Sequence, residues 1–93
     1  MAVNFEISYH TKVVKEDIVG LSLVWRSKIR SAIEDKLTLA PDFYGKPLRR
    51  SLKGYRKLRV GNYRVVFRIH RNRVYILAIM HRSVIYQKIT KRL

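Results

Sequence analysis

The sequence contains no cysteine. That absence excludes a disulfide framework, a thiolate metal site and a cysteine nucleophile together. Long hydrophobic runs are missing as well. The longest, Val74 to Met80, is seven residues, far short of the roughly 20 that a membrane-spanning helix needs. The N-terminus, Met-Ala-Val-Asn-Phe-Glu, has neither the basic nor the apolar region of a secretory signal. A soluble cytoplasmic chain with no membrane association is the expectation.

Acid is the third scarcity, and it is unevenly spread. The chain has 21 Lys and Arg against six Asp and Glu, a formal charge of +15. All six acids (Glu6, Glu16, Asp17, Glu34, Asp35 and Asp42) lie in residues 1–42, beside six bases, so that part is neutral. Residues 43–93 carry fifteen bases and no acid. A folded domain with this imbalance repels itself, and a polyanion or an acidic partner relieves the repulsion. A mixed Lys/Glu surface would give solubility more simply, so a nucleic-acid or acidic-protein partner is expected.

What is present is ordinary globular composition. At 93 residues and 47% hydrophobic, the chain suits one domain, residues 1–93, around one core. Asn4 to Tyr9 alternates Phe5, Ile7 and Tyr9 with polar residues, the pattern of a half-buried strand. Thr11 is positioned to cap a helix running to about Val19, with Gly20 ending it. Ser22 is positioned to cap a second helix, in which Val24, Ile29, Ala32, Ile33, Lys36 and Leu37 follow helical spacing and which Pro41 closes.

Residues 42–54 are turn-like, punctuated by Gly45, Pro47 and Gly54. Three strands follow, Tyr55–Val60, Tyr63–His70 and Arg73–His81, joined by the two-residue turns Gly61-Asn62 and Arg71-Asn72. Ser83 to Leu93 reads as a short terminal helix or tail. The expected fold is α+β, with the order β-α-α-β-β-β. Its four-stranded sheet is twisted and mainly antiparallel, with a helical hairpin packed on one face.

Parity assigns the charges to faces. A two-residue turn at Gly61-Asn62 pairs Val60 with Tyr63 and Arg59 with Arg64. Tyr63, Val65, Phe67 and Ile69 then line the core, while Arg64 and Arg68 point outward beside Lys57 and Arg59. Counting across Arg71-Asn72 puts Arg64 opposite Ile79, and His81 on Arg64's face. One open side of the sheet is thus expected to carry Lys57, Arg59, Arg64 and His81, with Arg82 and Tyr86 just beyond. Arg59 opposite Arg64 is a like-charge pair, unfavourable by itself. Either the two side chains splay into water, or their guanidinium forks clamp one phosphate. His81, followed by Arg82 and Tyr86, becomes a candidate for proton transfer or base stacking. His10 and His70 read as structural.

The chemistry open to such a set is narrow. The basic half has no carboxylate, the three histidines are scattered, and no zinc spacing occurs. No Ser-His-Asp pattern, Walker loop or dinucleotide fingerprint is present. No cofactor is expected. Cations, a tyrosine and a histidine around a phosphate supply no strong nucleophile, but RNA carries its own in the 2′-hydroxyl. Metal-free cleavage by this set would therefore be confined to RNA.

The run from Lys46 to Phe67, KPLRRSLKGYRKLRVGNYRVVF, followed by His81-Arg-Ser-Val-Ile-Tyr86, resembles the RelE/ParE superfamily of bacterial toxins. Its members typically read PL-x-G, then LR-x-G-x-YR, then HR-x-x-x-Y near the C-terminus. RelE-like members are mRNA interferases that cut message in the ribosomal A site; ParE-like members poison DNA gyrase and generally lack the basic and tyrosine set. Because Lys57, Arg59, Arg64, His81, Arg82 and Tyr86 are all kept, the resemblance points to the RelE side. It implies that Arg64 and Arg82 stabilise the scissile phosphate. Tyr86 would orient or deprotonate the 2′-hydroxyl and stack on a base. Lys57 is a second proton-transfer candidate, with His81 against Lys57 left open. Arg56 stands where some relatives have another lysine, and with Arg59 and Arg68 it joins the RNA- and phosphate-binding candidates. No Glu lies near this set, a departure from relatives with a carboxylate base. The resemblance also implies an acidic antitoxin partner, a ribosome with mRNA, and operator DNA contacted only through the antitoxin. A gyrase-directed toxin and a non-catalytic basic RNA-binding protein are the alternatives.

Overall fold

The first strand and the helical hairpin meet at His10. In the computed structural model, which describes residues 4–93, β1 (Glu6–Tyr9) is followed at once by a helical segment whose π-turn spans Val13–Asp17. Residues 1–3, on which the reading of the N-terminus rests, lie outside the described part. The His10 backbone extends the sheet, its N–H donating to the Ile76 carbonyl, while its ring Nδ1 accepts from the Lys12 N–H at 3.0 Å. His10 therefore does the capping expected of Thr11. The strand ends so close to the helix that only His10 is left to turn the chain.

Ser22 caps the next helix as expected, its Oγ accepting from the Trp25 N–H at 3.3 Å. α1 (Leu23–Ala32) runs on through a second π-turn, Ile33–Leu37, and buries Ile29, Ile33 and Leu37 along one stripe. The helix ends just before Pro41, as expected: the Ala40 N–H makes the last helical bond, to the Lys36 carbonyl at 2.9 Å, and Pro41 has no N–H to continue the ladder. Pro41 also opens α2 (Pro41–Tyr44) from the first-turn position, where its missing N–H costs nothing.

The sheet has five strands, not four. β2 (Lys46–Pro47) is a two-residue addition that pairs with β3 (Arg56–Val60), followed by β4 (Tyr63–His70) and β5 (Arg73–His81). The order is β1-β5-β4-β3-β2; β1 lies parallel to β5, and the other neighbours are antiparallel. Both hairpin turns lie where expected, with Gly61 at φ +58° and Arg71 at φ +56° supplying the left-handed backbone.

Register corrects the sequence reading at one place. Val60 faces Tyr63 and Arg59 faces Arg64, as the turn count requires. Across β4 and β5, however, Phe67 faces Ile76 while Val66 faces Ala78, so Leu77 is an extra residue in β5. This bulge shifts every later pair by one. Arg64 lies opposite Met80 rather than Ile79, and His81 lies opposite Tyr63, on the face away from Arg64.

Both faces of the sheet are covered. Leu58, Val65, Phe67, Val74, Ile76 and Ile79 pack beneath Val13, Ile29, Ile33 and Leu37 of the helical side. On the other face, expected to be open, Val66, Leu77, Ala78 and Met80 pack against Ile85 and Ile89 and against Leu52. Ile85 and Ile89 belong to the C-terminal segment, α3 (Ile85–Lys88) and a 3-10 turn (Ile89–Arg92). Leu52 comes from a second 3-10 turn, Arg50–Leu52. No helix among the described residues is long and apolar enough to cross a membrane.

Gly45, between α2 and β2, shows how tightly this framework holds. A Cβ there would overlap the Phe67 ring and come within 2.9 Å of the Pro41 carbonyl oxygen. Phe67 is fully buried and has nowhere to retreat. Gly45→Ala is expected to destabilise the fold by about 1–3 kcal/mol, read as a lowered urea midpoint with an unchanged slope.

Candidate phosphate-binding site

At the end of the sheet nearest the β3–β4 turn, the outer edge of β3 has a strand partner only as far as Lys57. Beyond it opens a cavity of about 270 Å³ lined by Lys36, Tyr44, Lys46, Lys57, Leu58, Arg59 and Arg64. Five of these seven residues are cations and none is a carboxylate. Lys36 comes from the end of the α1 helix, Tyr44 from α2, Lys46 from β2, and the rest from β3 and β4. The short β2 strand positions Lys46 directly opposite Lys57, and the hairpin turn does the same for Arg59 and Arg64.

Such a cluster needs a device that keeps its charges from scattering. Arg64 supplies it. Its side chain is not outward-facing as the parity count suggests: the residue is only 9% exposed. Nη1 donates to the carbonyls of Gly61 at 3.0 Å and Tyr63 at 2.9 Å, which fixes the guanidinium against its own hairpin turn. Nε and Nη2 have no acceptor among the described residues, which leaves them free for an anion in the cavity. Arg59 is exposed. The like-charge pair is thus resolved by burying one partner on backbone acceptors and leaving the other in solvent. A site of fixed and mobile cations around a hollow binds a phosphate and stabilises charge that develops on it.

The other sequence candidates are dispersed. His81 lies across the sheet, edge-on to Tyr63 with ring centroids 5.7 Å apart, beside a shallow hollow lined by Glu16, Asp17, Lys88 and Arg92. Its Nδ1 accepts from the Ser83 N–H at 3.1 Å, so the neutral ring carries its proton on Nε2. The backbone N–H of Arg82 donates to the Asn62 carbonyl at 2.8 Å, which ties the end of β5 to the turn that Arg64 also grips. Arg82 and Tyr86 are exposed and do not line the cavity. Arg56 has a structural task, its Nη1 donating to the carbonyls of Asp42 at 3.1 Å and Gly45 at 2.9 Å. Arg68 is exposed farther along β4, its guanidinium 5.5 Å from the Tyr75 ring centroid. Among the described residues, no three His, Asp or Glu side chains come together as a metal-ligating group.

Sequence reasoning did not assign Lys36, Tyr44 or Lys46 to the site, although it had Lys36 on the second helix and Lys46 at the head of the motif run. Lys46 was findable, because its Lys-Pro dipeptide precedes the basic strand and a short antiparallel pairing would place it opposite Lys57. Lys36 and Tyr44 reach the cavity from helices that pack beneath the sheet, and only the tertiary fold brings them there.

The family profile of the ParE toxin of type II toxin-antitoxin systems, parDE, matches residues 11–86. The chain belongs to the RelE/ParE family of toxins. It is therefore the toxin component of a type II toxin–antitoxin system. A chain of the RelBE2 toxin–antitoxin complex of Mycobacterium tuberculosis is 30% identical to this toxin, with a TM-score of 0.80 over 87% of this chain and 94% of that one. Two further structures share the fold at lower identity. One is the RelB–RelE antitoxin–toxin complex of Methanococcus jannaschii, at 21% identity and TM-score 0.65 over 87% of this chain and 96% of that one. The other is a mutant of the Escherichia coli toxin RelE in the free state, at 16% identity and TM-score 0.65 over 100% and 99%. No curated protein matches the toxin.

A second cavity, of about 210 Å³, is largely apolar and lies on the helical side, lined by Tyr9, Val14, Ile18, Leu21 and Ile29 with Arg26 and Arg30 at hand. Burial there pushes the Tyr9 phenol above its usual pKa of 10.0; Glu34 adds to the shift and Arg30 opposes it. The folded toxin therefore holds this proton more tightly than the unfolded chain. The Tyr9 contribution is intact below pH 10 and is lost as pH rises towards the folded value. Tyr9→Phe removes that loss, so the stability difference between Tyr9→Phe and wild type is expected to shift in favour of the variant above pH 10, measured by urea unfolding across pH.

Proposed function

We propose that the toxin is a ribosome-dependent mRNA endoribonuclease that works without a metal. The observation that carries this reading is the five-cation, carboxylate-free cavity with Arg64 locked into its wall. In the proposed reaction the RNA 2′-oxygen attacks the adjacent phosphorus and the bond from phosphorus to the 5′-oxygen breaks. The products are a 2′,3′-cyclic phosphate and a 5′-hydroxyl. Solvent at the cavity mouth takes the proton lost by the 2′-hydroxyl, and the leaving 5′-oxygen gains one, so the protons balance. Arg64, fixed on its own hairpin turn, stabilises the phosphorane charge with little reorganisation, and the exposed Arg59 and Lys46 add to it. Lys57 lines the cavity whereas His81 lies across the sheet, and this favours the Lys57 ammonium as the proton donor to the leaving oxygen. Arg82 and Tyr86 are assigned to the exposed rim, where they meet the message on either side of the cut.

The partner proposed for the free toxin is an acidic antitoxin, by likeness to the antitoxin complexes above. The +15 charge favours rapid association with such a chain, and operator DNA would be met only through it. A gyrase-directed toxin is the second reading, favoured by the ParE family profile itself.

Both readings are tested by adding the purified toxin to a cell-free translation reaction, mapping message 5′ ends, and assaying gyrase supercoiling in parallel. New ends in translated message with supercoiling intact support the nuclease. Intact message with arrested supercoiling assigns the toxin to gyrase. Cuts in naked RNA keep the chemistry and remove the ribosome requirement.

A further inference from the structure

Phe43 is the most exposed large hydrophobic residue among those described, at 79%, and Tyr44 beside it is 42% exposed. A ring so exposed contributes little to the core, yet the structure holds this pair firmly. The rings meet edge to face, with centroids 5.1 Å apart and planes at 87°. Beneath them, Arg56 binds the Asp42 and Gly45 carbonyls, and Gly45 is seated on the buried Phe67 ring. Pro41 is buried at the start of the same short helix. On the cavity side, Lys36 Nζ lies 5.6 Å from the Tyr44 ring centroid, and Lys46 follows two residues after Tyr44. A pinned aromatic pair thus stands at the mouth of a cation-lined hollow.

We propose that Phe43 and Tyr44 are a base-stacking platform for single-stranded RNA, and that Lys36 and Lys46 hold the phosphates next to the stacked base. The inference rests on the RNA reading above and adds a subsite to it. A base beside a phosphate is the repeating unit of a single strand, and a π-face beside cations matches it. An acidic protein segment would match the cations but leave the exposed Phe43 face without a counterpart. Asp42 adjoins Phe43 in sequence and Glu34 and Asp35 precede Lys36; none of the three lines the cavity. Arg56 is the positioning residue of the platform, acting through the backbone it clamps.

The test is fluorescence anisotropy with an eight-nucleotide 2′-O-methyl RNA, which binds but cannot be cut, and an abasic strand with the same phosphates. The wild-type toxin is expected to prefer the RNA with bases. Phe43→Ala is expected to weaken that binding about tenfold and leave the abasic strand unaffected, and Phe43→Trp to restore it. Lys36→Gln and Lys46→Gln should flatten the salt dependence for both strands. Circular dichroism checks the fold of Tyr44→Leu, since that ring is partly packed. Equal binding of both strands, or an unchanged affinity in Phe43→Ala and Tyr44→Leu, overturns the platform. So does displacement of the RNA by polyglutamate with no loss in the Phe43 variant. Base-dependent binding without cleavage of translated message instead overturns the nuclease reading and leaves the platform standing.

Discussion

Arg64→Gln is expected to slow cleavage of translated message by about 10²–10³-fold, the usual effect of removing one preorganised donor from a developing oxyanion. The effect is large because Arg64 does two things with one guanidinium. Nη1 is bound to the Gly61 and Tyr63 carbonyls, which fixes the group, and the cavity meets what remains of it. The same burial means that the substitution also costs stability, about 1–3 kcal/mol for carbonyls left without their donor. The two losses are separable by measuring single-turnover rates well below the melting temperature, beside a urea titration. Arg59→Gln provides the contrast. Arg59 is exposed, so its substitution is expected to lower the rate by about tenfold with the urea midpoint unchanged. A folded Arg64→Gln toxin that cuts at the wild-type rate removes the cavity from the mechanism.

The largest stability effect is expected far from that cavity, at Arg92. Arg92 and Asp17 form a bidentate pair at 2.6 and 2.8 Å, with side chains only 6% and 5% exposed. Its position explains why a buried ion pair is tolerated. β1 pairs with β5 only as far as Ile76, and beyond it the Leu77 carbonyl and the Ile79 N–H are left on the same edge. Arg92 Nη1 donates to that carbonyl at 3.2 Å, and Asp17 Oδ2 accepts from that N–H at 2.9 Å. The pair stands in for the missing strand just where the Leu77 bulge breaks the ladder, and it ties the helical side to the C-terminal segment. The bond to Asp17 holds the Arg92 pKa above its usual value, against the opposing effect of burial.

Arg92→Ala leaves Asp17 charged and buried without its partner, a change that typically costs about 3–5 kcal/mol. In a domain of this size that is a large part of the whole stability, so a substantial unfolded fraction is expected at 37 °C. Asp17→Leu combined with Arg92→Met should recover much of the loss, because an apolar pair removes the uncompensated charge. Urea unfolding of the two single variants and the double variant closes the cycle. Strictly additive losses would show that the two side chains do not act as a unit.

These two residues also mark the limits of what the chain reveals unfolded. The hairpins at Gly61-Asn62 and Arg71-Asn72 were legible, because turn residues and strand alternation are local signals. So was the pairing of Arg59 with Arg64, which follows from a two-residue turn by counting. The Leu77 bulge has no local signature in an unbroken apolar run, yet it carries His81 to the opposite face from Arg64. Burial of Arg64 was equally hidden. An arginine between Tyr63 and Val65 looks like a solvent-facing position, and only the folded chain shows its guanidinium turned back onto the Gly61 and Tyr63 carbonyls. Asp17 and Arg92 are 75 residues apart, and nothing in either neighbourhood announces the other. Lys36 and Tyr44 reach the cavity for a related reason: helices choose their neighbours only when the core closes.

In the proposed reaction the nucleophile is the RNA's own 2′-hydroxyl, with the cavity cations around the phosphate. The most direct test places a single 2′-deoxynucleotide immediately 5′ of a mapped cut in a translated message, with wild-type toxin and primer-extension readout. Cleavage at that position is expected to disappear while cuts elsewhere in the same message persist. Undiminished cleavage at the deoxy position would contradict the proposed reaction, since the nucleophile would then come from outside the RNA.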